Sequence, residues 1–456
     1  MLAHEDNELL CRIGPGTPMG NLFRQYWLPA LQSVELPEPD CDQVRVKLLG
    51  EELIGFRDTS GRVGLLENSC PHRGASLFFA RNEQNGIRCI YHGWKFDSTG
   101  QCIDMPNEPA QSNFKDRVRA TAYPCVERGG VVWAYMGPRE TPPPLPDIEG
   151  NMQPDSSVYS QIRNCNWMQA LEGDIDTVHF SWLHAGHVKP EDAGSDFMRY
   201  LTEDRSPTFA ALDTPWGTSY AAFSPATESE NYCRCAHFLF PCYTMTPPGL
   251  MMANRKSRAW VPMDDDHVIW FSMTAPSLVP DDMLATKNGV QLAGRSGGGR
   301  GGDVLHEHST DWYGRFRLVA EASNDYLLDR NDWKEGNTFA GLPSVSLEDH
   351  VVTETMGTIY NRRRENLGTS DAMIIRTRNR LIQAAEAFEK EGIVPPGVDD
   401  PEVYRQRSGG LLLPTEIISQ WFEVTEEQRR AFVDNPKDEI YASYVRTAPW
   451  RDEEED

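Results

Sequence analysis

The stretch CPHRGASLFFARNEQNGIRCIYHGW, residues 70–94, decides how the rest of the chain is read. Cys70 and His72 stand one residue apart and Cys89 and His92 two apart, with 16 residues between the pairs. Thiolates and imidazoles together suit zinc or an iron–sulfur cluster. A structural zinc site more often draws two cysteines from one half and two histidines from the other. One sulfur and one nitrogen from each half is what a [2Fe–2S] centre needs if one iron takes both thiolates and the other both imidazoles. Neutral imidazoles in place of anionic thiolates give such a cluster a higher potential. Pro71, Gly74 and Gly93 mark turns at which backbone N–H groups can face the cluster sulfurs.

The surrounding composition narrows the class of protein. A chain of 456 residues has room for two or three domains. Net charge is −24, from 44 basic and 68 acidic residues, which argues against nucleic acid because a phosphate backbone needs a concentrated basic face. The final run RDEEED at 451–456 reads as a solvated acidic tail. The first residues, MLAHEDNELLCRIG, lack a signal peptide's basic start and apolar core. No apolar run approaches the about 18 residues of a membrane span. Ten cysteines without a secretion signal suggest reduced thiols in a cytoplasm. Of these, Cys11, Cys41, Cys102, Cys125, Cys165 and Cys242 read as small buried apolar residues.

From residue 43 to about 138 the pattern is β, with turns at DTSG (58–61) and DSTG (97–100) and a β-rich run GGVVWAYMG at 129–137. The proline-rich GPRETPPPLPDIEG at 137–150 breaks all periodicity and divides the chain into domains at 1–150 and 151–456. Beyond it, residues 166–184 read as one helix, while 231–246, 256–263 and 266–276 read as strands of an antiparallel sheet. GRSGGGRGG at 294–302 reads as a flexible loop, since it lacks the Lys-Ser/Thr ending of a phosphate cradle. Two helices follow, one from about 346 with Ser346 as N-cap and one from 371.

A second constellation lies in EGDIDTVHFSWLH, where Glu172, Asp176, His179 and His184 are spaced E-x3-D-x2-H-x4-H. With about 3.6 residues per turn, the first three fall on one helix face. His184 lies roughly 140° round from His179 on an ideal helix, so it can reach the same ion only if the helix ends or distorts between them. Two imidazoles and a carboxylate with open positions form the facial triad of O2-activating Fe(II). The alternative is two satisfied histidines on an amphipathic helix.

CPHRG and CIYHGW resemble the Rieske iron–sulfur motif, and the helix with its preceding NWMQ resembles the iron helix of the Rieske non-haem iron oxygenases. The segment SLEDHVVTETMGTIYNRRRENLGTSDAMIIRTR at 346–378 resembles the phthalate-dioxygenase-like branch. The resemblance covers nearly the whole chain. It implies an α+β architecture: an all-β Rieske domain, then a catalytic domain whose antiparallel sheet is flanked by helices (helix-grip, START-like). Cys70, His72, Cys89 and His92 would hold the [2Fe–2S] cluster. His179, His184 and Asp349 would hold mononuclear Fe(II). The family commonly has glutamine where this chain has Glu348, so Glu348 competes with Asp349; His350 points elsewhere. Asp176 would bridge His179 of its own protomer and His92 of a neighbour, which implies a homotrimer, sometimes stacked as a hexamer. Glu172 would belong to the same buried network.

The resemblance further implies the terminal oxygenase component of a multicomponent system. Electrons pass from NAD(P)H through a separate reductase or ferredoxin, and no GxGxxG following a strand, nor any flavin motif, is present here. The substrate is an aromatic acid, with ring hydroxylation favoured over O-demethylation or other monooxygenation. A carboxylate needs cationic anchors, and Arg199, Arg234, Arg255 and Arg258 are the candidates. A rival reading is a non-catalytic Rieske electron carrier with a ligand-binding domain. Cys233, Cys235 and His237 alternate on one strand and could form a third metal site, though sheet packing is the simpler reading. HEH at 306–308 reads as solvated.

Overall fold

The computed structural model describes residues 2–109, 111–187, 196–247, 249–251, 255–276, 286–287, 290–291 and 303–430. The glycine-rich stretch 294–302 and the acidic tail 451–456 lie outside them.

The β pattern of residues 43–138 folds into small antiparallel sheets. Val44–Leu48, Glu51–Arg57, Val63–Glu67 and Ala122–Tyr123 form one; Arg81–Asn82, Ile87–Arg88, Lys95–Phe96 and Cys102–Asp104 form another. Both expected turns are built the same way. Asp58 Oδ1 accepts from the N–H of Ser60 (2.9 Å) and of Arg62 (3.0 Å); Asp97 Oδ1 accepts from Thr99 (2.9 Å) and Gln101 (3.0 Å). In each, the closing glycine adopts the positive φ that the turn demands: 86° at Gly61 and 81° at Gly100. The two Cys/His loops hang from this framework. Cys70 and Cys89 share a core with Ile54, Phe56, Leu66 and Phe96.

The second half is built on an eight-stranded antiparallel sheet. Its order is Ser157–Arg163, Val268–Thr274, Lys256–Pro262, Tyr243–Met245, Glu230–Leu239, Gly217–Pro225, Thr208–Thr214, with Gly409–Pro414 also paired to Glu230–Leu239. The cross-strand pairs Arg234–Ala222 and Tyr232–Ser224 set those four side chains on one face. The long helix Ala372–Glu391 packs against Thr208–Thr214 and Gly217–Pro225, tied by Thr218 Oγ1 and Thr377 Oγ1 at 2.7 Å. Gly392, with φ of 68°, ends that helix. The helices His4–Cys11 and Pro18–Phe23 also pack on this half, with Phe23 edge-on to Trp167 at 4.9 Å. All ten cysteines are unpaired, and among the described residues no helix is long and apolar enough to cross a membrane.

Two expectations need correction. Residues 166–184 are not one helix: Trp167–Ile175 stops, and a single turn, Phe180–Leu183, follows. The cause is local. Asp176 turns to extended backbone and its Oδ1 accepts from the N–H of Val178 at 2.9 Å, a side-chain turn that competes with helix continuation. The N-cap of the helix Val345–Glu354 is Ser344, not Ser346; its hydroxyl accepts from Leu347 N–H at 3.1 Å.

Candidate metal centres

The two loops carrying the Cys/His pairs are near copies of each other. Cys70 N–H donates to Ala75 O (2.9 Å) and Gly74 N–H returns to Cys70 O (2.8 Å); Cys89 N–H donates to Trp94 O (2.9 Å) and Gly93 N–H returns to Cys89 O (2.9 Å). Both glycines need positive φ, 76° and 77°, and a Cβ on Gly93 would sit 2.7 Å from Pro106. Each loop thereby presents one sulfur and one imidazole from a rigid turn. Backbone N–H groups of His72 and Arg73 point at the Cys70 sulfur, whose thiol is nevertheless pushed up to about 11 by burial and by the neighbouring Cys89. The His72 ring stacks on Trp94 at 4.2 Å, and the His72 and His92 rings lie 4.5 Å apart.

His92 Nδ1 is buried without a protein partner, as a metal-ligating nitrogen would be, which leaves Nε2 as the second nitrogen to pair with. The donor set fits a two-iron cluster better than one ion. Among the described residues, the only group of three or more His, Cys, Asp or Glu donors all within 4.8 Å of one another lies elsewhere.

That group is His179, His184 and Asp349. The break after Ile175 allows it. One helical turn separates the two histidines, whose rings stand 5.1 Å apart and nearly perpendicular at 84°. Asp349, in the first half of the helix Val345–Glu354, places Oδ1 3.4 Å from His179 Nε2 and 3.3 Å from His184 Nε2. The outward nitrogens of both rings thus meet one carboxylate, in the chemistry of a two-histidine, one-carboxylate metal site. Burial opposes charge on His179, yet Asp176 and Asp349 push it up to about 10, and His184 is raised in the same way. Burial would lift the Asp349 carboxyl, but the two imidazoles hold it well below the usual carboxylate range. The negative field that holds a proton on these rings equally favours a metal cation.

Behind the triad, Asp176 Oδ2 lies 3.4 Å from His179 Nδ1, its side chain still 30% exposed. Glu348 does not compete for the triad's centre. It is fully buried, with Oε2 2.7 Å from His184 Nδ1, on the far side of the ring from Asp349. His350 points away, its Nε2 2.8 Å from Glu354.

Glu172 is the clear departure. Without a continuous helix it does not share a face with Asp176 and His179. It pairs instead with Arg362 (3.1 Å) and Arg378 (2.6 Å), and Arg378 forks onto Glu365. Arg362 is fully buried and also reaches Asn7 Oδ1 at 2.9 Å, so this network ties the N-terminal helix to the helix leading into the triad. Arg362→Met leaves Glu172 undercompensated in the interior and is expected to cost about 3–5 kcal/mol. Urea unfolding followed by far-UV circular dichroism checks it.

The four candidate arginines separate. Arg199 is half exposed and pairs with Asp196 at 2.9 Å; Arg255 donates to Pro276 O at 2.7 Å; Arg258 pairs with Asp174, which also accepts from Thr244 and Trp260. Arg234 is 8% exposed and, among the described residues, hydrogen-bonds only the hydroxyl of Thr177, its buried Nε having no partner there. No carboxylate of the described residues lies in ion-pair reach of it. It lines a small cleft with Thr177, Val178, Ser181 and Tyr232. Thr177 and Asp174 were not singled out in the sequence; only their position inside the triad's segment hinted at a role. Asp204 also lines this cleft, its carboxylate accepting from Ser206 N–H.

The third possible metal site does not form. His237 has both nitrogens occupied, by Ser219 Oγ (2.7 Å) and Arg407 O (3.0 Å), and with Cys233 and Cys235 it is buried on the sheet face opposite Arg234. His306, Glu307 and His308 are exposed, as expected of HEH, with the His308 ring against Phe316.

The family model of the Rieske [2Fe-2S] domain matches residues 26–120, and that described as LigXa C-terminal domain like matches residues 134–408. The oxygenase subunit of 3-chlorobenzoate-3,4-dioxygenase from Comamonas testosteroni is 42% identical over 94% of this chain and 99% of its own length. The oxygenase subunit of phthalate 4,5-dioxygenase from Pseudomonas putida is 36% identical over 85% of this chain and 87% of its own. Among solved structures, the terminal oxygenase of carbazole 1,9a-dioxygenase from Novosphingobium sp. KA1 aligns with a TM-score of 0.53 at 19% identity, over 83% of this chain and 95% of that one. That likeness concerns the fold alone.

Proposed function

The chain belongs to the Rieske oxygenase α subunits with a LigXa-like C-terminal domain, and from that premise we propose that it hydroxylates a carboxylate-bearing aromatic ring. In this reading Cys70, His72, Cys89 and His92 hold the cluster in a domain spanning 1–150, and His179, His184 and Asp349 hold Fe(II) in a domain spanning 151–456. When bound, the cluster supplies an electron and the single iron supplies O2 activation. A ferredoxin or reductase drawing on NAD(P)H supplies the reducing equivalents, and the unpaired thiols suit a cytoplasm.

The observation that carries the substrate class is Arg234. A buried guanidinium without a carboxylate partner is costly unless something anionic shares its site. Its cleft runs along Thr177 and Val178, which lead directly into His179. An aromatic acid with its carboxylate on Arg234 would be held against the segment that carries the triad. The relatives named for benzoate and phthalate agree with that chemistry.

The reading also takes a trimer. Within one chain His92 has one nitrogen to spare, while Asp176 is partly open to the surface. Exposed apolar residues flank both: Ile90 and Tyr91 beside His92, Trp182 and Phe339 beside the triad's turn. A neighbour's His92 would reach Asp176 across such a surface, and gel filtration with light scattering checks the stoichiometry.

The functional test is a product assay with a panel of mono- and dicarboxylated and methoxylated aromatics, supplied with reductant. Hydroxylated acids are expected as products. Arg234→Met is expected to raise KM for the acid by about 10–100-fold, the worth of one charge-assisted hydrogen bond, with both metal centres retained. Turnover of only uncharged aromatics, or an unchanged KM in that variant, would remove the anchor.

A further inference from the structure

We propose that Glu348 is a positioning residue for the mononuclear site, holding His184 in one tautomer and setting a negative charge behind it. The proposal rests on the reading of His184 as an iron ligand. An imidazole whose Nδ1–H is held by an acceptor must offer its Nε2 lone pair, and here Nε2 is the nitrogen beside Asp349. Glu348 and Asp349 are consecutive in the helix Val345–Glu354, so their side chains leave it about 100° apart. One rigid element thereby presents a carboxylate to each nitrogen of the same ring, fixing its plane from both ends.

The surroundings of Glu348 argue that its charge matters, not only its hydrogen bond. It is fully buried and its Oε1 has no partner. The next polar neighbour, His187, lies 3.7 Å away and already bonds Leu342 O at 2.8 Å. No lysine or arginine of the described residues lies in ion-pair reach. A glutamine could accept the same hydrogen bond without the cost of burying a charge. Asp176, by contrast, stands 3.4 Å from His179 and is partly exposed, so the two histidines are backed unequally. A carboxylate sealed behind His184 makes that ring the stronger donor, tightens the hold on the metal and lowers its potential.

The test compares the full-length wild type with E348Q and E348L. Fe(II) affinity is measured by chelator competition and the potential of the mononuclear iron by titration followed by EPR; Rieske absorption reports that each variant is folded. E348L, which loses acceptor and charge, is expected to bind Fe(II) roughly 10–100-fold more weakly. E348Q, which keeps the acceptor, is expected to lose less affinity and to show a more positive potential. Wild-type affinity and potential in E348Q and E348L would overturn the proposal. If E348L does not fold, E348Q decides: an unchanged potential refutes the role of the charge. A wild-type chain that binds no iron beyond the cluster would instead overturn the ligand reading on which the proposal stands.

Discussion

Asp349→Ala is expected to lose the mononuclear iron while keeping the cluster, so that bound iron falls from about three to about two per chain and turnover falls to background. Among the described residues, Asp349 is the one carboxylate in ion-pair reach of both His179 Nε2 and His184 Nε2, so its removal leaves two imidazoles and no charge at the centre of the triad. Glu348 cannot replace it, because its carboxylate stands behind His184 rather than between the two rings. Iron and acid-labile sulfide analysis checks the stoichiometry. Wild-type iron content in this variant would mean that the triad is not the metal site.

Asp176→Asn is expected to leave both metal contents unchanged and to cut turnover by about 100-fold or more, at the upper end of what a ligand's outer partner contributes. The substitution is conservative for the fold. An asparagine oxygen can still accept from Val178 N–H, so the turn that ends the helix at Ile175 survives. What disappears is the charge facing His179 Nδ1 and, in the proposed trimer, the carboxylate acceptor for a neighbour's His92. Rapid reduction of the cluster followed by slow reoxidation with substrate and O2 is the expected signature. Reoxidation at the wild-type rate would remove the bridging role.

What was legible in the sequence was local. The two Cys/His loops and the two aspartate–glycine turns each close within five residues, so spacing alone carried their geometry. His179 and His184 were legible as a pair, and with them the need for a break, expected between the two but found ahead of His179. The position of that break was not, because Asp176 acts as both a histidine partner and a turn former, and the second use wins the backbone. Glu172 was misassigned for a different reason. Its partners Arg362 and Arg378 lie 190 and 206 residues away, a separation that helix-face reasoning cannot span. The same limit hid Arg234 among four equal candidates until Thr177 and the cleft singled it out. Glu348 was read only as a rival ligand because adjacency to Asp349 does not say which side of the ring each carboxylate faces.

The most direct test of the account is a single-turnover reaction of the fully iron-loaded, pre-reduced protein with ¹⁸O2 and an aromatic acid, followed by mass spectrometry of the product. The account predicts cluster reoxidation that depends on the acid, together with a hydroxylated acid carrying ¹⁸O. Reoxidation without any labelled product, across mono- and dicarboxylated aromatics, would contradict it.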